Sequence, residues 1–274
     1  MASTSQARLA IVREPDATVL TQDAFLGGRL VIAQRVSGLR AGLDAVMLAA
    51  ACPASPGDAV LEAGCGSGVA GLCLAVRVPG ISVTGVEFDS GLAVLAGENA
   101  ARNNLGAALR VVNADVTAPW AELETLGIRR NHYDQVIANP PFNSPLESRT
   151  SPDAARDRAC TMPTGGLERW LRFLVGCARP GGKLTVIHRA DALPELLALV
   201  QGRFGAVEIV PLFPKPGADA VRIILRGIKG SRAPLTLRPG LVLHVRDGAQ
   251  TPEAAMILRQ GYALDDVLQT KPTS

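Results

Sequence analysis

The stretch Glu62-Ala63-Gly64-Cys65-Gly66-Ser67-Gly68 joins a short apolar run, residues 59–63, to a helix-like run, residues 69–78. Glycines at a strand-to-helix turn permit dihedrals closed to other residues and let a ligand approach the backbone without meeting a side chain. Three alternate glycines shape this turn for a nucleoside-sized ligand, although a glycine-rich turn taken alone would be ambiguous. Outward from the loop, short apolar runs alternate with longer helix-like stretches. Strands are expected at 59–63, 82–88, 109–114, 135–138 and 183–188. Helices are expected at 69–78, at 91–103 behind the Asp89-Ser90 cap, and from Leu167 to a stop at Pro180-Gly181-Gly182. Helix 193–201 follows, then strands 207–212 and 221–225 joined as a hairpin by the turn-rich segment 214–217. The pattern predicts an α/β fold: a seven-stranded, mostly parallel sheet with helices on both faces and an antiparallel final strand. Residues 18–34 read as a hairpin around Gly27-Gly28 and 43–51 as a helix, and the tail turns helical from Glu253. Three parts are expected: 1–57 covering the ligand site, 58–230 as the main domain, and 231–274 as an extension.

Composition narrows the class. The 274 residues are 47% hydrophobic and 19% charged, yet the apolar runs are far shorter than the roughly 20 residues a membrane helix needs. A soluble protein without membrane contact is expected. No export signal is visible at the amino terminus. The odd set Cys52, Cys65, Cys73, Cys160 and Cys177 lacks a Cys-x-x-Cys pair, which fits a reducing, cytoplasmic setting. Net charge is only +3. Between Val221 and Gly240, however, stand Arg222, Arg226, Lys229, Arg232 and Arg238 with no acid. That run reads equally as a phosphate-facing stripe, with Arg222, Lys229 and Arg232 as substrate contacts, or as a solvated edge strand.

The second expected strand ends in Glu87-Phe88 and the third in Asn113-Ala114-Asp115. An acid at the Glu87 position can accept from both ribose hydroxyls of a nucleoside, and Asp115 from an adenine amino group. Either acid alone reads as a cap or turn residue. The loop also contains Gly66-Ser67-Gly68-Val69-Ala70-Gly71, which matches a dinucleotide fingerprint and raises a nicotinamide oxidoreductase as a rival. Gly64 interrupts the apolar run too early for that register. Glu62 suits the amino group of a methionine moiety and would repel a pyrophosphate. The loop therefore favours S-adenosylmethionine, held by Glu62, Gly64, Cys65 (through its backbone), Gly66, Gly68, Glu87, Phe88, Ala114, Asp115 and Asn139, with S-adenosylhomocysteine as product.

The fourth expected strand ends in Asn139-Pro140-Pro141-Phe142. An amino group conjugated to a purine or a carbonyl is a poor nucleophile because its lone pair is delocalised. If the Asn139 side-chain oxygen and the Pro140 carbonyl accept from its two N–H groups, the nitrogen pyramidalises and exposes the lone pair. Pro141 stiffens the loop, and Phe142 offers a face on which a base can stack for about 1–3 kcal/mol. The competing reading is a rigid strand exit. Its place at the carboxyl edge of a parallel sheet, where ligands bind, favours chemistry.

These residues resemble the Rossmann-like class I S-adenosylmethionine methyltransferases with an N-P-P-[FY] motif. Within them, the chain is similar to the bacterial tRNA (adenine-N6)-methyltransferase family that modifies a valine tRNA next to its anticodon. The likeness extends to Thr21-Gln22-Asp23-Ala24-Phe25-Leu26-Gly27-Gly28-Arg29-Leu30, Gln34 and Gly42-Leu43-Asp44-Ala45-Val46, and spans about residues 21–238. It implies that the amino-terminal block covers the methionine end of the cofactor. It also implies that Asn139, Pro140 and Phe142 are catalytic, that Pro141 and Phe142 contact substrate, and that the partner is a nucleic acid, tRNA first. Glu62-Ala63-Gly64 stands where the family usually has Asp-Leu-Gly, and Phe142 where Tyr is common; both keep the chemistry. The alternatives are a glutamine-N5 methyltransferase of release-factor type, which shares the Asn-Pro-Pro chemistry, and a non-catalytic module that binds the cofactor or RNA. Oligomeric state is not readable.

His132, His188 and His244 show no ligand spacing, so no metal is expected. Trp120 and Trp170 read as core or groove residues. Arg149, Arg156 and Arg158 alternate with acids in a polar segment, 147–165, that reads as a solvated loop or as a cover for substrate.

Overall fold

A computed structural model of the protein describes residues 19–37, 40–141 and 165–269. A two-stranded antiparallel hairpin, β1 (Leu20–Phe25) and β2 (Leu30–Arg35), opens the described chain. Helix α1 (Leu43–Ala51) leads into β3 (Ala59–Ala63), α2 (Val69–Arg77), β4 (Ser82–Glu87), α3 (Ser90–Arg102) and β5 (Leu109–Asn113). Next come α4 (Trp120–Thr125), β6 (Tyr133–Ala138), α5 (Gly166–Cys177), β7 (Ala178–Arg189), α6 (Leu193–Val200), β8 (Phe204–Phe213) and β9 (Arg222–Lys229). The short strands β10 (Thr236–Leu237) and β11 (Leu241–Val242) precede α7 (Pro252–Gln260) and α8 (Leu264–Gln269).

One mixed sheet orders these as β10-β8-β9-β7-β6-β3-β4-β5, with β11 also on β8. Strands β3 to β7 run parallel, and β9 runs antiparallel to both β7 and β8. The expected seven-stranded arrangement with its antiparallel final strand is present, enlarged at one edge by β10 and β11. Buried side chains alternate along the strands. On β6, Ile137 joins the core shared with α1, α2, α7 and α8, while Val136 and Ala138 join the core beneath α4, α5 and α6. Each fully buried leucine, such as Leu48, Leu72 or Leu171, contributes about 1.5–3 kcal/mol relative to exposure.

Local chemistry explains most boundaries. Asp89 caps α3 by accepting from Leu92 N–H at 2.9 Å, and Thr251 caps α7 from Ala254 N–H at 3.1 Å ahead of Pro252. One expectation fails. Pro180-Gly181-Gly182 does not end a helix: α5 stops at Cys177, and those residues lie inside β7 at a shift in its register with β6. An unpaired bulge absorbs residues that break a helix, and the ladder resumes at Lys183 opposite Gln135. Among the described residues no helix is long and apolar enough to cross a membrane.

Candidate active site

The carboxyl ends of the parallel strands bring the glycine loop, Glu87, Asp115 and Asn139 to one edge, the position at which open α/β sheets bind ligands. The loop is pinned through its backbone. Gly64 and Cys65 N–H donate to Val86 O at 2.8 and 3.1 Å, Gly66 N–H to Glu87 Oε2 at 2.8 Å, and Gly71 N–H to Glu62 Oε2 at 2.8 Å. Gly64 has φ +66°, and a Cβ there would lie 2.4 Å from the Trp170 ring. At Gly66, φ is +55° and a Cβ would meet nothing within 4 Å. That open face is the backbone approach the loop was expected to offer.

A buried acid, Glu62, and a half-buried one, Glu87, flank the loop. Glu62 is 4% exposed; burial pushes its carboxyl up to about 8, with the Gly71 N–H pulling down and nearby Glu87 pushing further up. Burial also holds Glu87 above the ordinary range, against the N–H groups of Asp89 and Gly66. A ligand carrying a sulfonium and an ammonium group supplies the positive charge that these carboxyls lack, so the residues fit S-adenosylmethionine. Phe88 is 75% exposed beside Glu87, an apolar face left bare at the same edge. Ala114 N–H donates to Glu87 O at 3.0 Å. Asp115 Oδ1 closes a local turn by accepting from Thr117 N at 2.7 Å and Thr117 Oγ1 at 2.8 Å. Cys65 is buried, its thiol held well above the usual value by burial and by Glu62 and Glu87, which removes it as a nucleophile.

Asn139 directly follows β6, and among the described residues its Oδ1 is buried with no hydrogen-bond partner. An unmet buried acceptor costs about 1–3 kcal/mol. Pro140 is buried and Pro141 half-buried beside it. Phe142, the polar segment through 164, Cys160 and the amino-terminal 18 residues lie outside the described residues.

The basic stripe is corrected. Arg226 is 7% exposed and locked between Glu208 at 2.6 Å and Asp265 at 2.7 Å, tying β9 to β8 and α8. Arg238 points toward Glu208 at 3.9 Å. Lys229 Nζ donates to Asn131 Oδ1, Val175 O and Ala178 O at 2.8, 2.6 and 2.7 Å, capping the carboxyl end of α5. Because β9 runs antiparallel to β7, Lys229 and the following Arg232 sit at the edge opposite Asn139. Seven residues along a strand separate Lys229 from Arg222 by about 24 Å. Only Arg222 stands at the site edge, and it pairs with Asp44 at 3.0 Å. Three members of a run without acids in sequence, Arg222, Arg226 and Arg238, thus meet acids from elsewhere in the fold, and Lys229 meets neutral acceptors.

Sequence reasoning missed Trp170, which covers Gly64 from α5, and Asn99, which bonds Ser67 O at 3.0 Å. Trp170 carries no local signal. Asn99 has one: it interrupts the apolar stripe Leu92, Leu95, Ala96, Ala100 of α3.

A family model described as methyltransferase small domain matches residues 42–156. The tRNA1(Val) (adenine(37)-N6)-methyltransferase of Dickeya chrysanthemi is 30% identical over 187 residues, 66% of this chain and 69% of that protein. Its namesake in Porphyromonas gingivalis is 28% identical over 249 residues, 88% of this chain and 95% of the relative. A solved structure described as a predicted O-methyltransferase from Agrobacterium tumefaciens shares 30% identity with a TM-score of 0.68, covering 80% of this chain and 97% of its own. None of these matches favours the dinucleotide oxidoreductase. With this much sequence and fold held in common, the chain is an S-adenosylmethionine-dependent methyltransferase and belongs to the tRNA1(Val) (adenine(37)-N6)-methyltransferase family.

Proposed function

We propose that the protein methylates the exocyclic N6 amine of an adenine in tRNA, the valine-tRNA adenine 37 named for its relatives being the first candidate. The observation that carries this reading is the buried, unpartnered Oδ1 of Asn139 at the cofactor edge. An acceptor kept dry and unmet is suited to a donor that arrives with the substrate. An adenine amine brings two N–H groups: Asn139 Oδ1 takes one, the Pro140 carbonyl the other, and the nitrogen lone pair is freed. Pro141 holds the carbonyls in place, and Phe142 stacks the extruded base. When bound, S-adenosylmethionine supplies the electrophilic methyl group and a neutral thioether leaving group. The amine forms the N–C bond and then releases one proton to water, so no strong base is needed. Glu62, the loop from Gly64 to Gly68, Glu87, Phe88, Ala114 and Asp115 hold the cofactor. In the same reading residues 58–230 form the catalytic domain, 1–57 its cover and 231–274 an extension, and the enzyme works in the cytoplasm.

The Agrobacterium relative is described as a predicted O-methyltransferase, which makes a hydroxyl acceptor the second reading. A hydroxyl offers one donor where Asn139 and Pro140 present two acceptors. Methyl transfer from radiolabelled S-adenosylmethionine to total tRNA, total rRNA and purified release factor, with nucleoside analysis, separates these readings. N6-methyladenosine from tRNA is expected. Label only in ribose 2′-O-methyl groups or only on the release factor overturns the proposal.

A further inference from the structure

Strand β2 is the edge of a two-stranded hairpin, an arrangement with little stability of its own. Its outward backbone groups are met by side chains of Asn99 on α3 and of Asn103 at its carboxyl cap. Asn103 Oδ1 accepts from Val31 N–H at 2.9 Å while Asn103 Nδ2 donates to Val31 O at 2.9 Å. One turn earlier, Asn99 treats Ala33 the same way, at 2.8 and 2.9 Å. At the amino end of α3, Arg35 forms a two-pronged pair with the capping residue Asp89, at 2.9 and 3.0 Å. The match is geometric. A four-residue step on a helix rises about 6 Å and a two-residue step on a strand about 6.6 Å, so amides at i and i+4 meet alternate strand residues. Asparagine suits this role because one amide presents both an acceptor and a donor.

Asn99 does more than Asn103. It is fully buried, and its second amide proton goes to Ser67 O of the glycine loop at 3.0 Å, while Arg102 Nη1 fills its remaining acceptor site at 3.2 Å. A single saturated side chain therefore joins the hairpin to the peptide plane of the cofactor loop. A second route runs from Arg35 through Asp89, whose N–H donates to Glu87 Oε1 at 2.9 Å.

We infer that Asn99 is a positioning residue that couples docking of the hairpin to cofactor binding. The hairpin orients the loop through Asn99, and a bound cofactor, by ordering the loop, holds the hairpin on α3. The inference rests on the cofactor assignment and is independent of which nucleic acid is methylated. Coupling between two sites is reciprocal, so it is readable from both ends.

The test uses the full chain with S-adenosylhomocysteine as the probe. Hydrogen exchange of the unsubstituted protein should show the Val31 and Ala33 amides slowed on adding the probe. Asn99→Asp sets a carboxylate oxygen against two carbonyls and should weaken probe affinity about tenfold or more. Asn103→Asp loosens the same clasp without touching the loop and should change affinity less than about threefold. In Asn99→Asp the probe should no longer slow exchange at Val31. If exchange of the hairpin ignores the probe in the unsubstituted protein, or if both substitutions alter affinity equally, the coupling does not exist. The exchange measurement decides the matter alone should Asn99→Asp fail to fold.

Discussion

The two edges of the parallel sheet use their polar and charged groups in opposite ways. At the amino-terminal edge partners close up: Asp134 accepts from Ala59 N–H and Arg179, Gln135 donates to Pro53 O and Asp58, and Lys229 spends its donors on α5. At the carboxyl-terminal edge Asn139 Oδ1 is unmet, Glu62 is buried without a cation, and Phe88 is bare. Charge alone does not locate the working edge. The convergence of an unmet acceptor, a buried carboxyl and a bare aromatic face does, since among the described residues single unmet atoms also occur elsewhere, as at Thr185 Oγ1 and the Nε atoms of Arg226 and Arg238.

The largest contrast should come from Asn139→Ala. Removing a preorganised acceptor should lower kcat by about 10²–10³, while melting temperature changes little because the Oδ1 removed is an unmet buried acceptor. A clear drop in thermal stability together with full activity would reverse the roles given to the two edges.

Arg226→Met should do the opposite. Loss of the guanidinium strands Glu208 and Asp265, each about a third exposed, and should cost about 2–3 kcal/mol, somewhat less than for a fully buried pair. Denaturant unfolding reads the loss, and turnover per folded molecule should be unchanged. A large fall in turnover would mean that the stripe reaches the substrate after all.

Glu62 sharpens the comparison through pH. Its carboxyl is held up to about 8 by burial, well above the unfolded value of about 4.3. The folded state therefore binds more protons between those values, and the stability of the cofactor-free protein should fall as pH rises through that window. Glu62→Gln should flatten the fall. A cationic ligand favours the carboxylate, so cofactor binding near pH 7 should release a proton. Calorimetry in two buffers of different ionisation enthalpy checks this, and identical heats would show that Glu62 does not change its protonation on binding.

The smallest effect on function belongs to Lys229→Gln. It removes charged donors from the end of α5 and should cost about 1–2 kcal/mol of stability, with KM for RNA within about twofold because the residue stands some 24 Å from the site edge. A several-fold rise in KM would return Lys229 to the substrate surface.

Much of this molecule was legible in one dimension. The alternation of apolar runs and helix-like stretches placed β3 to β9, since strand and helix periods are local properties of a chain. Gly64, Gly66 and Gly68, the strand-end Glu87 and Asn139-Pro140-Pro141 stood out because each lies within a few residues of a strand end, and parallel topology carries all such ends to one edge. What failed or stayed hidden depends on partners distant in sequence. Pro180-Gly181-Gly182 is a bulge only because β6 lies beside it. Arg226 is structural only because Asp265, 39 residues away, folds back onto it. Trp170 meets Gly64, and Asn99 meets both Ala33 and Ser67, across 66 and 32 residues. Local pattern determined where the elements and the chemistry-bearing residues lie; tertiary packing alone decided which polar groups are neutralised and which remain unmet, because pairing is a property of space and not of spacing.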